Sequence, residues 1–247
     1  MDRIRSFCKI KFDKDSVQEM DILDSFLAVA YYFFYMLLIF LFGLFMYEAS
    51  IYKHWSKFFN NKEMYKFMFY IPITIISILP IILSVHFRKQ KVSTLGIVKN
   101  NLFKSILFGI IFSLPFIAPK IITGVVNNHM VASIENLIWK FLYFLICIAF
   151  VEEIAFRGFI QSRIRGIIKN KWLSIVLVGV MFGSMHIPFQ MLQSNLSFIQ
   201  FLKKDLVHLI VTVILHIYFV FIYKKTNNII APTITHTLIN LSSHIFI

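Results

Sequence analysis

The sequence predicts an all-α fold, a polytopic transmembrane helical bundle of about seven spans. Three observations predict it. Hydrophobic residues make up 58% of the chain and charged residues only 15%, against roughly a quarter in ordinary soluble domains. The apolar residues come in continuous runs and do not alternate with polar ones, which argues against a membrane β-barrel. Several runs are long enough, at about 1.5 Å per residue, to cross a bilayer core of about 30 Å. Disorder is excluded as well, since 17% of the residues are aromatic.

The elements follow in order. Residues 1–25 mix both charges and contain no short basic start followed by an apolar core, so a cleaved secretory signal is not expected. The first span is the uncharged run from Ser25 to Tyr47, and the second runs from Phe67 to Phe87, with Pro72 and Pro80 as expected kinks. The third covers Leu102 to about Ile122, with Lys104 and Lys120 snorkelling at its ends. A fourth begins near Leu137 and runs through Phe150 into two glutamates. The fifth extends from Trp172 to Pro188, the sixth from about Leu206 to Tyr223, and the seventh from about Ile229 onward. Cys8 and Cys147 form no disulfide framework or zinc pattern. Residues 1–92 are expected to hold a cytoplasmic segment and two accessory spans, and residues 93–247 the functional membrane core.

Alternating spans divide the connecting segments into two sets. Sixteen Lys and Arg fall with the N-terminus and the segments 88–104, 163–171 and 224–225. Eight fall with 53–66, Lys120, Lys140 and 203–204, with Arg157 left out of the count. The positive-inside rule then places the N-terminus in the cytoplasm of a multi-pass cell-membrane protein. The net charge of +13 is read as topology, with contact to anionic lipid, and not as nucleic-acid binding.

Acidic residues locate the chemistry. Of twelve, only Glu152 and Glu153 lie within the body of an apolar segment, CIAFVEEIAFRGF. A charge at mid-membrane costs roughly 2.5–3.5 kcal/mol on insertion scales, so such a pair implies compensation or function. Glu153 and Arg157 stand at i and i+4, a spacing equally suited to an architectural ion pair. Glu152 has no such neighbour and needs a partner from another helix, water or a ligand. His186 in FGSMHIP falls at matching depth if residues 169–171 form a helical-hairpin turn, and His236 with Asn240 share one face of the last span. His208, His216 and His244 belong to no such pattern and read as structural or interfacial.

Carboxylate and imidazole around a water form a hydrolytic arrangement. Glu152 would act as general base, His186 would hold the water, and His236 with Asn240 would donate to an oxyanion. Glu153 and Arg157 would support the set from behind. A zinc site with Glu and two His remains an alternative, not favoured, and the HExxH pattern is absent.

Three motifs, Glu152-Glu153-x-x-x-Arg157, Phe182-x-x-x-His186 and His236-x-x-x-Asn240, resemble those of the CAAX-protease and bacteriocin-processing family, also called CPBP or Abi. The preceding Ser93-Thr94-Leu95-Gly96-Ile97 is similar to a segment that often precedes the family core. The resemblance covers about residues 93–244. It implies an intramembrane glutamate-dependent endopeptidase acting on a membrane-associated peptide or protein, with Glu152, His186, His236 and Asn240 in the roles above. Lys, Asn and Ile bias suggests a bacterial member, and hence peptide maturation, bacteriocin self-immunity or peptide signalling. A non-catalytic immunity or scaffold protein is the competing class. A proton-coupled transporter is a third, weakened because no broken helices occur in matching halves.

Overall fold

The computed structural model describes residues 19–47 and 51–246; the charges before residue 19, Cys8 and Glu48 lie outside the described residues. The helices are α1 (Ile22–Tyr47), α2 (Ile51–Ser56), α3 (Lys62–Phe87), α4 (Leu102–Val126), α5 (Ile134–Gly166), α6 (Lys171–Ser194), α7 (Phe198–Thr226) and α8 (Ile230–Ser242). Among the described residues there is no β-strand, only an isolated bridge between Val131 and Phe246.

Six helices, all but α2 and α8, are long and apolar enough to cross a membrane. The seventh span expected from the sequence is not among them. Helix α8 has 13 residues, about 20 Å, and polar contacts tie the chain on either side of it. Before it, the Asn228 side-chain amide donates to the carbonyls of Val98 and Asn100; after it, the carbonyl of Ile245 accepts from the amide of Ala132.

Helix ends also depart from the apolar runs, because caps set them rather than hydropathy. Helix α3 begins at Lys62, where the Asn61 side chain accepts from the amides of Glu63 and Met64. Helix α6 begins after Asn170, which caps Trp172 and Leu173 in the same way, and passes through Pro188 to end at Asn195 in the left-handed conformation. Proline removes one helix hydrogen bond, a loss that neighbouring spans accommodate. A capping box at Ser197 and Gln200 starts α7 at Phe198, eight residues before the expected Leu206, and draws Lys203, Lys204 and Asp205 into the helix. Helix α5 runs through the two glutamates, as expected, and continues to Gly166.

The two ends of the bundle are tied by different polar contacts. At the first rim Arg88 Nε donates to Asp24 at 2.8 Å, the Gln90 amide donates to Asp24 at 2.9 Å, and Arg163 donates to Gln90 at 2.6 Å. Ser25 donates to the Arg163 carbonyl, and the Ile229 amide to the Gly96 carbonyl. At the second rim Asn61 donates to Glu135 at 2.8 Å, beside the Ala132–Ile245 contact. The segments 88–101, 163–170 and 226–229 therefore share one rim, as the charge grouping required.

Residues 92–97 pack onto α5. A short 3-10 turn, Val92–Leu95, ends at Gly96 with φ +77°, a conformation that disfavours side chains. The Leu95 carbonyl oxygen lies 2.6 Å from where a Cβ on Gly158 would stand, so only glycine allows this approach. Inside the bundle, Tyr31 and Tyr35 of α1, Ile81 of α3, Phe156 and Phe159 of α5 and Phe182 of α6 form one buried cluster. Outward-facing residues such as Phe33, Ile75 and Val207 stay exposed on the protein alone, the surface a lipid phase would cover.

Candidate active site

The glutamates sit where α5 changes its winding. Two π-helical stretches, Tyr143–Phe150 and Ile154–Ile160, bracket the single turn Val151–Glu153. Such π segments concentrate at functional sites, because the wider turn re-aims side chains. Glu152 and Glu153 diverge accordingly. Glu152 lines a cavity, whereas Glu153 is 0% exposed and lies behind it.

Glu153 is enclosed by two cationic or proton-donating groups. Arg157 Nη1 lies 3.2 Å from Glu153 Oε1, and His236 Nδ1 lies 3.0 Å from the same oxygen. The Arg157 guanidinium is also fully buried, with the Phe182 and Phe219 ring centroids 4.2 and 4.9 Å away. Its N–H groups make no well-aligned hydrogen bond, so charge and the two ring faces hold it. An ionised carboxylate only accepts, which puts the Nδ1 proton of His236 toward Glu153. The other ring nitrogen, Nε2, then faces Glu152 Oε2 at 3.9 Å, a separation wide enough for water to mediate.

His186 is oriented by its own helix. Its Nδ1 donates to the Phe182 carbonyl at 2.8 Å, leaving Nε2 as an acceptor. Glu152, His186, His236 and Asn240 all line one cavity of about 340 Å³. The four residues expected to meet therefore do meet, and the hairpin turn between α5 and α6 matches the depth of Glu152 and His186. Glu153 and Arg157 stay out of the cavity lining. Glu152 Oε2 is buried without a hydrogen-bond partner among the described residues.

The remaining wall comes from residues that carry no motif. Tyr35 and Phe42 of α1 and Tyr70 and Thr74 of α3 form one side, so the first two spans contribute to the cavity. His208 and His244, set aside on sequence grounds, also line it. His208 pairs with Asp205 at 3.1 Å, and His244 stacks on Phe144. His216 instead is buried against Gln161 at 3.2 Å, outside the cavity. Spacing along one helix could not reveal these positions, because the wall is shared among six helices, α1, α3, α5, α6, α7 and α8.

Glu, His and His are donor types that suit zinc. Among the described residues, however, no group of three or more His, Cys, Asp or Glu side chains converges to hold a metal ion. The arrangement as built fits water activation by carboxylate and imidazole.

Comparison with protein families gives one match covering the site. Residues 134–242 match the family described as type II CAAX prenyl endopeptidase Rce1-like. This agrees with the resemblance to CAAX proteases, and all seven residues named in the three motifs fall within the matched segment. The match begins after residues 93–97, so it covers α5 to α8 but not the segment expected to precede the core. No curated protein and no solved structure matches the chain. The six long apolar helices mark a multi-pass membrane protein, and the Rce1-like segment supports a membrane protease role.

Proposed function

We propose that this protein is an intramembrane endopeptidase in which Glu152 activates water to hydrolyse a peptide bond of a membrane-associated peptide or protein. The observation that carries the reading is the buried, unpartnered Glu152 Oε2, placed on a shared cavity with His186, His236 and Asn240. A water there can donate to Glu152 and to the Nε2 of His186, leaving a lone pair for attack. Arg157 and the Nδ1–H of His236 both face Glu153, which leaves Glu152 as the carboxylate on the cavity. Where His236 Nε2 carries a proton, it and the Asn240 amide can donate to the oxyanion, an effect worth roughly 2.7–4 kcal/mol per donor in known enzymes.

The cellular role follows the resemblance to bacterial relatives: maturation of a peptide, or self-protection against one. The cheapest discriminating experiment compares membrane-peptide profiles of cells carrying the native protein and Glu152→Gln. A precursor that accumulates only with Glu152→Gln supports the reading. Identical profiles, with purified Glu152→Gln cleaving as fast as the native protein, overturn it in favour of a non-catalytic immunity or scaffold role.

A further inference from the structure

The cavity has a direction. On the helices that line it, the lining residues lie from about the middle toward the second rim: Tyr35 to Phe42 of Ile22–Tyr47, Tyr70 to Ser77 of Lys62–Phe87, Tyr143 to Glu152 of Ile134–Gly166, Met185 to Gln190 of Lys171–Ser194, and His208 near the start of Phe198–Thr226. The same holds for His236 and Asn240 in α8, continued by Ser243 and His244. Toward the first rim Phe156, Phe159 and Phe182 close the bundle. A substrate reaches Glu152 from the second rim.

That mouth carries an excess of ammonium groups. Lys66 Nζ lies 4.3 Å above the ring of Tyr143, itself a lining residue. Lys120 Nζ is 2.6 Å from the Ser243 hydroxyl, beside the lining residue His244. Lys140, one turn before Phe144, is 3.7 Å from Glu63. Glu63 is the single carboxylate within ion-pair distance of the three among the described residues, and its charge also acts on Lys66 and His244, so one acid is set against three ammonium groups.

We infer that the Lys66, Lys120, Lys140 and His244 mouth of the cavity is a carboxylate-binding subsite, selecting substrates that present a negative charge close to the bond cleaved. The inference rests on the peptidase reading of Glu152. A carboxylate can come from the free end of a peptide or from an acidic side chain, and both present the same two oxygens to the lysines. Charge-assisted hydrogen bonds from ammonium to carboxylate are about twice as strong as neutral ones, and stronger still in a half-buried setting. Apolar walls supply area around such a group, and the lysines supply the choice between acid and amide.

Cys147 lines the cavity and reports its occupancy. In full-length Cys8→Ser/Glu152→Gln protein in detergent, the rate of Cys147 modification by a small methanethiosulfonate is measured with three probes. These are an acetylated leucine–phenylalanine tripeptide as free acid, the same peptide as amide, and the amide with one glutamate. The expected result is protection by the free acid at about tenfold lower concentration than by the amide. Protection by the glutamate-containing amide at that lower concentration assigns the subsite to side chains as well, and its absence assigns it to chain ends. The advantage should vanish in Lys66→Gln/Lys120→Gln/Lys140→Gln, and Lys66→Gln alone should reduce it if the triple variant fails to fold. Equal protection by acid and amide, an acid advantage that survives the lysine changes, or no protection by any probe overturns the subsite. Hydrolysis by the Cys8→Ser parent is scored separately. Cleavage without acid preference removes the subsite and keeps the peptidase, whereas lysine-dependent protection without cleavage does the reverse.

Discussion

His236 holds Glu153 at 3.0 Å with one ring nitrogen and faces Glu152 at 3.9 Å with the other. The two glutamates, adjacent in sequence, thus play different physical parts. Glu153→Gln leaves the fully buried Arg157 without its counter-charge, a change that costs about 3–5 kcal/mol when one partner of a buried pair is removed. Glu152→Gln should instead leave thermal stability in detergent near native while lowering peptide hydrolysis by about a hundredfold or more. Equal melting temperatures for the two variants would show that Glu153 is not the structural member of the pair.

Gly158→Ala tests the support that residues 92–97 give to the site. The added methyl would stand 2.6 Å from the Leu95 carbonyl oxygen, which is backbone and cannot rotate away. Overpacking of this kind costs typically about 1–3 kcal/mol. A lowered melting temperature is expected, together with faster proteolysis in the 88–101 loop. Native-like values for both would show that the contact is not tight.

Asp21 makes the stability of the first rim sensitive to acid. The backbone amide of Asp24 donates to its carboxylate, and this together with the Arg88 guanidinium holds the Asp21 pKa below the usual carboxylate value. Because the folded pKa is the lower one, the contribution is fully present above about pH 4 and is lost as pH falls through the lowered value. Asp21→Asn keeps the cap but removes the charge. The native protein should melt higher than this variant at pH 7, and the difference should shrink toward pH 3.

The orientation of the bundle is open to direct measurement. Lys99→Cys marks the first rim and Asn127→Cys the second, both at exposed positions. In intact cells, with Cys8 replaced, an impermeant maleimide should label Asn127→Cys and spare Lys99→Cys if the more basic rim is cytoplasmic. That outcome also puts the cavity mouth outside, since the lining residues all lie toward the second rim. The reverse pattern would show that the excess of basic residues on the first rim does not set the orientation of this bundle.

Much of this protein is legible in one dimension. A bilayer requires long uncharged runs because every backbone group must be satisfied within its own helix, so the order of the crossings and the grouping of the loops follow from composition. Two carboxylates in such a run are expensive, and this alone marked Glu152 and Glu153 as exceptional. Helical spacing then linked Glu153 to Arg157 and His236 to Asn240.

Helix ends were less legible, because Asn61, Asn170 and Ser197 start helices by capping amides and not by being apolar. Tertiary structure alone decided the rest. Phe182 and Phe219 come from different helices to cradle Arg157. The walls supplied by Tyr35 and Tyr70 and the gathering of Lys66, Lys120 and Lys140 at one mouth likewise join residues far apart in the chain. Hydropathy and periodicity act along a single helix; a cavity depends on which faces of several helices meet, and only their packing determines that.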